Sequence, residues 1–186
     1  MPDPARSRSC NTRVNLNISD VIAAAALDSV SAPLVLGFDL TDTATLAQVW
    51  PIISNVEALN VSRHWAGHPG RLVLQSRHAC TGCDESKRTQ PTAHTIAHGF
   101  DPTTPLPSWQ IWAKKISDDG ITTKQAVLLI NLDSKPQTVS TDLENVGITV
   151  LDCKARDIGN HKDLPPVAKL LSADLPPRSS QFVLLG

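Results

Sequence analysis

The sequence predicts a mostly β protein in which a C-terminal antiparallel β-sandwich follows a short α/β unit. After Arg71, short apolar stretches alternate with Gly, Pro and Asp turns, a pattern typical of antiparallel sandwiches. Before Arg71, a helical pattern, a continuous apolar run and a second helical pattern follow one another, as in α/β folds. The change of pattern near Arg71 is the clearest sign of domain organisation in the chain.

Length and composition limit the possible functions. The 186 residues are too few for a complete (β/α)8 barrel, which needs roughly 250. Lys and Arg total 17 against 18 Asp and Glu, so the net charge of -1 gives no support to a nucleic-acid partner. Apolar residues make up 41%, enough for a folded core. No apolar run approaches the roughly 20 residues that cross a membrane, so no membrane partner is expected.

The α/β unit begins with a helix predicted over Asn17–Ser31. Because this helix has almost no polar face, it is expected to be buried. The apolar run Leu34–Phe38 predicts a strand covered on both faces. A second helix is predicted over Ala44–Ile53, where Pro51 is expected to end or kink it because proline lacks an amide proton. A further turn is predicted at Asn55–Leu59.

The sandwich region is interrupted by a long polar insertion, Arg77–Pro107, between its first two strands. Asp118-Asp119-Gly120 is a hairpin turn signal between the second and third strands. Six strands are predicted in this region: Arg71–Gln75, Ser108–Ile116, Gln125–Leu132, Thr138–Leu143, Gly147–Asp152 and Gln181–Leu185.

The insertion contains a pattern of possible metal ligands. The spacing Cys80-x2-Cys83-x10-His94-x3-His98, with His78 beside it, is near that of tetrahedral zinc sites with thiolate and imidazole ligands. The alternative is an insertion whose cysteines are free or joined in a local disulfide. A zinc finger also needs apolar residues between its ligand pairs, and almost none lie between Cys83 and His94.

Asp39 is the candidate catalytic residue, because it directly follows Leu34–Phe38 and functional residues of parallel-strand folds gather where strands end. Glycosidases need a pair of carboxylates, and one aspartate supplies at most half of it. The alternative is an aspartate that caps a helix or fixes a loop. No Gly-x-Ser-x-Gly motif or glycine-rich phosphate loop is present. His64, His68 and His161 are interpreted as loop residues.

Five segments between residues 31 and 164 carry short motifs that occur together in one enzyme family. They are Ser31–Leu40, Ile53–Val61 with His64–Gly67, Trp109–Ile116 ("evWakpL"), Ala126–Asn131 ("AVaLlN") and Arg156–Leu164 ("vRDlWxhkDL"). In this order they resemble the C-terminal portion of glycoside hydrolase family 27, the α-galactosidases and α-N-acetylgalactosaminidases. The first two are similar to the last elements of the family's barrel, and the other three to its sandwich.

The resemblance implies a fold and a reaction. The family's fold is a (β/α)8 barrel followed by an antiparallel β-sandwich. The chain is therefore expected to comprise a disordered or non-homologous segment at 1–16, the remnant of an incomplete (β/α)8 barrel at 17–70, and the sandwich at 71–186, with the insertion at 77–107. Family members hydrolyse terminal α-D-galactosides with retention, using two aspartates. The "KxDxC" nucleophile motif, the acid/base and the sugar-binding "WNDPDML" motif all precede the matching segment.

No catalytic, cofactor-binding or metal residue can therefore be assigned to this chain from the family. Asp39 corresponds to a family aspartate outside the catalytic pair, and Gly159 stands where the family usually has Trp. The resemblance implies the scaffold part of an α-galactosidase-like hydrolase, a fragment or truncated gene model that is expected to be inactive alone. No cofactor is expected, and the partner of the intact enzyme would be an α-galactoside carbohydrate.

The alternative function is a stand-alone carbohydrate-binding or interaction module. Trp109 and Trp112 lie on opposite faces of one predicted strand, so at most one could form a sugar platform. Family members are mostly secreted, lysosomal or vacuolar, whereas Met1–Arg13 lacks a signal-peptide core; localisation and oligomeric state stay open. Because a barrel strand without neighbours leaves backbone groups unpaired, residues 20–66 are expected to exchange amide hydrogens faster than 71–186.

Overall fold

A computed structural model describes residues 41–64, 69–83, 105–118, 123–150 and 152–186. Several predicted features lie outside these residues: the helix over Asn17–Ser31, the strand over Leu34–Phe38, Asp39, and most of the insertion, including His94 and His98.

The described residues form two antiparallel sheets. Their strands are β1 (Arg71–Gln75), β2 (Trp109–Asp118), β3 (Thr123–Asn131), β4 (Gln137–Asp142), β5 (Cys153–Asp157), β6 (Lys162–Val167), β7 (Leu170–Leu175) and β8 (Ser180–Leu185). The larger sheet has six strands in the order β1-β2-β3-β8-β5-β6, and the smaller sheet pairs β4 with β7. The chain is thus mostly β with an antiparallel sandwich, as predicted.

The sandwich core lies between the two sheets. The face of the larger sheet that turns toward the smaller one is called the inner face here, and the opposite face the outer face. Side chains at alternate positions of each strand reach the core, because successive residues of a strand point to opposite faces. The buried core residues come from both sheets and their connections: Ile111, Ala113, Val127, Leu129, Val139, Leu143, Val146, Ile148, Cys153, Ala155, Leu171, Ala173, Leu175, Val183 and Leu185.

Strand β3 is buried on both faces. None of the residues Ala126–Ile130 exposes more than 2% of its surface. Val127 and Leu129 lie in the inner core, whereas Ala126, Leu128 and Ile130 lie in a second apolar cluster on the outer face. The central position of β3 in the larger sheet explains the uninterrupted apolar run in its sequence, because a strand covered on both faces has no side that favours polar residues.

Two helices precede the sheets: α1 (Thr43–Ile53) and α2 (Val56–Arg63). The expectation that Pro51 ends the helix is wrong. The helix continues to Ile53, where the Ser54 amide donates to the Trp50 carbonyl at 2.9 Å. Pro51 removes only one hydrogen bond, two residues before the end. The turn predicted at Asn55–Leu59 is instead the start of α2.

Five of the six predicted strands are confirmed, and one is wrong. Gly147–Val150 forms no strand, because the 3-10 helix Leu143–Val146 ends at Gly147 in a left-handed conformation, with φ of 84°. Prediction missed β5, β6 and β7. Strand β7 is exposed on alternate residues, whereas β6 has no buried residue and contains Pro165 and Pro166, which an edge strand tolerates. The predicted hairpin between β2 and β3 is confirmed by their pairing.

Candidate functional site

The outer face of the larger sheet carries helix α2. Val61, on this helix, is 4% exposed and packs in the outer cluster. The sheet residues of that cluster and its neighbours are apolar: Ala126, Leu128, Ile130, Phe182 and Ile158, with Trp112, Ile116 and Leu184 partly buried beside them. The helix and the sheet thus share one apolar contact, although they are far apart in the chain.

A charged cluster fixes the position of α2 on β5 and β6. The Glu57 carboxylate receives hydrogen bonds from Arg156 Nε at 2.7 Å and Nη2 at 2.9 Å, a two-point ion pair. Arg156 Nη1 also donates to Asp163 Oδ1 at 2.8 Å, and His161 Nδ1 lies 2.7 Å from Glu57 Oε1. We call Glu57, Arg156, His161 and Asp163 the Glu57 clamp.

The clamp keeps Glu57 ionised. Hydrogen bonds from Arg156, opposed by burial and assisted by His161, lower the pKa of Glu57 from 4.5 to about 2. A glycosidase acid needs a raised pKa so that it holds a proton near neutral pH, and Glu57 is shifted in the opposite direction. Asp163, whose side chain is 83% exposed, is also paired with Arg156. The two carboxylates share one cation, an arrangement that holds elements together.

Three further hydrogen bonds fix the two ends of α2. Asn55 accepts the Ala58 amide through its side chain at 3.1 Å and so caps the first turn, while its Nδ2 donates to the Ile158 carbonyl at 2.7 Å. At the other end, Lys114 Nζ donates to the Ser62 carbonyl at 3.3 Å. Lys114 is buried, which lowers the pKa of its ammonium. A cation suits this position because the last carbonyls of a helix carry partial negative charge.

The turn between β5 and β6 is organised by Asp157. Its carboxylate accepts the amide and the side-chain nitrogen of Asn160, both at 3.0 Å, and Nε2 of Gln181 at 2.9 Å. Gly159 lies exposed in this turn, where a Cβ would stand 3.3 Å from Asp157 Oδ1. The hydrogen bonds of Asp157 therefore define a turn in which the tryptophan usual in the family is absent.

Asn131 is a second polar centre, at the end of β3. It is 1% exposed, and its Oδ1 accepts the Asp133 amide at 2.9 Å and Gln137 Nε2 at 2.8 Å. Its Nδ2 lies 2.8–3.1 Å from three carbonyl oxygens, those of Lys135, Leu175 and Pro176. One amide thus joins β3 to the chain around β4 and β7. This role accounts for the asparagine that ends the "AVaLlN" segment.

The zinc interpretation of the cysteine pair is wrong. Cys80 and Cys83 form a disulfide, the alternative that the sequence left open, so neither offers a thiolate to a metal. His78 is exposed, while His94 and His98 lie outside the described residues. Among the residues that the structure describes, no group of three His, Cys, Asp or Glu side chains could hold a metal ion.

Residues 80–83, the Cys80–Cys83 loop, are anchored to one end of the sandwich. Asp133 Oδ2 accepts the Thr81 amide at 3.2 Å, and the Ser134 amide donates to the Thr81 carbonyl at 3.2 Å. Although burial opposes the shift, hydrogen bonds from Thr81 and residues 134–135 lower the pKa of Asp133. Arg178 donates to the Gly82 carbonyl at 2.7 Å. The Cys80–Cys83 loop, near the start of the insertion, is therefore held on the sandwich by several hydrogen bonds.

The remaining candidate residues are dispersed over the molecule. Trp109 packs on the inner core and Trp112 on the outer cluster, which confirms that they lie on opposite faces. His64 ends α2 as its C-cap, and His161 lies in a turn but also joins the Glu57 clamp. The loop interpretation of His161 therefore missed a contact with Glu57, which lies 104 positions earlier in the chain.

A groove of about 500 Å³ lies next to the clamp. Charged and aliphatic side chains line it, among them Lys124, Lys154, Asp163, Leu164, Pro166 and Leu184. Among the residues that the structure describes, its lining contains no aromatic side chain, and aromatic rings are the groups on which protein sites commonly stack flat apolar surfaces. The groove is therefore an unconvincing sugar site.

The fold and the site define a class of protein: a two-sheet antiparallel β-sandwich with a helix fixed to the outer face of its larger sheet. Residues 107–185 match the family model for the alpha galactosidase C-terminal beta sandwich domain. The chain therefore carries this domain, and its resemblance to the C-terminal portion of glycoside hydrolase family 27 is confirmed. No curated protein matches the chain. No helix in the described part of the chain is long and apolar enough to span a bilayer.

Solved structures share this fold. A GH27 β-L-arabinopyranosidase from Geobacillus stearothermophilus has a TM-score of 0.66 and 20% identity, over 92% of this chain and 31% of that protein. α-Galactosidase I from Mortierella vinacea has a TM-score of 0.64 and 14% identity, over 94% and 37%. The α-galactosidase from Saccharomyces cerevisiae, solved with raffinose, has a TM-score of 0.64 and 15% identity, over 92% and 44%. The chain thus spans less than half the length of these proteins.

Proposed function

We propose that this chain is the C-terminal part of an α-galactosidase-like glycoside hydrolase and serves it as scaffold. The observation that carries the proposal is the attachment of α2 to the outer face through the Glu57 clamp. In the comparison with glycoside hydrolase family 27, α2 corresponds to the last helix of the family's barrel. Arg156 and Asp163 belong to the segment that resembles the family's "vRDlWxhkDL" motif. The family motif is thus the part of the sandwich that holds the barrel-derived helix.

Exposed apolar side chains on both helices support this role. Trp50 on α1 is 57% exposed, and Val56 on α2 is 65% exposed. Contiguous exposed apolar patches are typical of surfaces that another body covers, and two such side chains on neighbouring helices fit a surface of this kind. We propose that the rest of a (β/α)8 barrel is that body, and that residues 17–70 belong to it. The substrate of the intact enzyme would be a terminal α-D-galactoside, hydrolysed by carboxylates outside this chain.

Turnover of an aryl α-galactoside by the purified 186-residue chain tests the scaffold role. We expect no release of the aryl alcohol above the buffer rate, because the described carboxylates next to the groove are held in ion pairs. A catalytically complete family 27 enzyme serves as the positive control. Turnover that copurifies with the chain and is absent from a mock purification would overturn the proposal. Reading the genomic sequence upstream for in-frame "KxDxC" and "WNDPDML" motifs is an independent test, and we expect both motifs.

A stand-alone carbohydrate-binding module is the alternative, and the packing of the two tryptophans disfavours it. Trp109 and Trp112 are each half-buried against a different apolar cluster. Titration with galactose, followed by tryptophan fluorescence, is expected to give no saturable change. Saturable quenching that raffinose reproduces and mannitol does not would favour the module.

A further inference from the structure

The Cys80–Cys83 loop has asymmetric surroundings that the scaffold role does not use. Arg178 Nη1 lies 3.3 Å from Sγ of Cys83, so a guanidinium faces this sulfur. The Leu132 carbonyl oxygen lies 2.6 Å from Sγ of Cys80 and 3.3 Å from Sγ of Cys83. The positive group is thus next to Cys83, while the negative end of a carbonyl dipole is closest to Cys80.

Both features favour negative charge on the same sulfur. A cation beside a cysteine stabilises its thiolate, and a carbonyl oxygen favours a thiol that can donate S–H. In a broken disulfide, Cys83 would therefore carry the charge and Cys80 the proton or an adduct. The sulfur with the more stable thiolate is the better leaving group in thiol–disulfide exchange.

Access and anchoring fit such an exchange. Cys80 is half-buried, with exposed neighbours on both sides, Ala79 and Thr81. Arg178 stays close to Cys83 because its second nitrogen donates to the Gly82 carbonyl at 2.7 Å, and its own amide donates to the Asp133 carbonyl at 3.1 Å. The guanidinium is thus held on the loop by bonds that do not involve sulfur.

We propose that the Cys80–Cys83 disulfide is a thiol-exchange site at which low-molecular-weight thiols attack Cys80. The incoming thiolate forms a new S–S bond to Sγ of Cys80, the bond to Cys83 breaks, and its electron pair leaves on Sγ of Cys83 beside Arg178. A second thiolate can then attack the mixed disulfide, which oxidises the two thiols to one disulfide. The released Sγ of Cys80 then takes up a proton from water, and the resulting thiol donates a hydrogen bond to the Leu132 carbonyl.

Limited reaction with glutathione tests the direction of attack. The oxidised chain is mixed with glutathione, quenched early with N-ethylmaleimide, and mapped by tandem mass spectrometry. We expect glutathione on Cys80 and the maleimide on Cys83 in a ratio of at least about five to one, since thiolate stability decides which sulfur leaves. A ratio near one, glutathione mainly on Cys83, or no adduct at all would overturn the proposal.

Variants of Arg178 test the cause. R178Q is expected to slow the first exchange about threefold and to bring the ratio toward one, because leaving-group rates fall as the thiol pKa rises. R178K keeps the charge and should keep the preference for Cys80, and R77Q is the matched control that removes an exposed cation of the neighbouring segment. Equal behaviour of R178Q and R77Q, or of R178K and R178Q, would contradict the assigned role of the guanidinium.

Single cysteine variants give a reading that does not depend on the disulfide. C80S leaves Cys83 beside Arg178, and C83S leaves Cys80 beside the Leu132 carbonyl. Iodoacetamide is expected to alkylate Cys83 in C80S about fivefold faster than Cys80 in C83S at neutral pH, since the thiolate is the reacting form. Equal rates, or faster reaction of Cys80, would refute the asymmetry. The far-UV circular dichroism of both variants shows whether the sandwich is intact.

Discussion

The two faces of the larger sheet are covered in different ways. The inner face meets the smaller sheet over a wide apolar core, in which Ile111, Val127 and Leu129 are fully buried. The outer face, as far as the structure describes it, meets one short helix, which contributes the buried Val61 and is held by the Glu57 clamp. A broad apolar contact gives stability in proportion to its area, whereas a small contact needs directional bonds to fix its position.

The difference indicates two separate tasks. The inner face makes the sandwich a stable unit, and the outer face sets the geometry of what is attached to it. Loss of an inner side chain should therefore destabilise the whole domain, while loss of a clamp residue should release the helix and leave the stability of the sandwich nearly unchanged.

The largest effect is expected from L129A, compared with L128A. These neighbours on β3 have the same side chain, both fully buried, but Leu129 faces the inner core and Leu128 the outer cluster. L129A should lower the free energy of unfolding by about 4 kcal/mol, within the usual range for buried leucine. L128A should cost about 2 kcal/mol, because a short helix adjusts to a cavity more easily than two sheets do. Urea denaturation measures both, and a larger loss for L128A would contradict the division of tasks.

Next is N131A, which removes the polar centre at the end of β3. The carbonyl oxygens of Lys135, Leu175 and Pro176 would lose their donor in a buried site. We expect a loss of about 2–3 kcal/mol in the free energy of unfolding, since buried unsatisfied groups are costly. N131D, which keeps the shape and the acceptor but lacks the amide donor, should lose nearly as much. Wild-type stability of N131D would show that the donated bonds are unimportant.

A smaller and local effect is expected from E57Q and R156Q. Each breaks a partly exposed, two-point ion pair and should cost about 1 kcal/mol, a usual value for pairs near the surface. Hydrogen exchange should accelerate in Val56–Arg63 and stay unchanged in β3. D163N, which leaves the Glu57–Arg156 bonds intact, is the matched control. Additive effects in the double variant E57Q/R156Q would show that the pair does not act as a unit.

The smallest effect concerns acid pH. The pKa of Glu57 is about 2 in the folded chain and 4.5 ordinarily, so the unfolded chain takes up the proton first. The stability that Glu57 contributes is therefore complete above about pH 4.5 and is lost as the pH falls toward 2. Wild type and E57Q should differ at pH 6 and converge near pH 2 in thermal unfolding. A constant difference over this range would contradict the lowered pKa of Glu57.

The sequence predicted the sandwich well where its strands are apolar. Strands such as β3 follow from periodicity, because burial on one or both faces leaves a local pattern. Strand β6 was missed since it has no buried residue and contains two prolines, and β7 was missed since its exposed Leu170 interrupts the alternation of apolar and polar residues. The clamp could not be derived from local pattern at all. Glu57 and Arg156 are 99 positions apart, and family resemblance singled out the segment of Arg156 without a role for it.

The disulfide shows a different limit. The spacing of Cys80 and Cys83 fits either a zinc site or a local disulfide, and the sequence alone did not decide between these two alternatives. The surroundings that separate the two sulfurs come from Leu132 and Arg178, in other parts of the chain. Chemistry that depends on such neighbours is visible only after folding.

The separation in sequence between α2 and the residues that hold it also has a kinetic consequence. Asn55 and Ile158, which bond at one end of α2, are 103 positions apart. The ribosome must therefore synthesise the chain as far as Ile158 before α2 can form this bond to the sandwich. Closing so long a loop costs conformational entropy that grows as about (3/2)RT ln n, and contacts of long range slow folding. We expect the helix to dock last, after β5 has joined the sheet, so that Leu128 on β3 stays exposed to chaperones until that step.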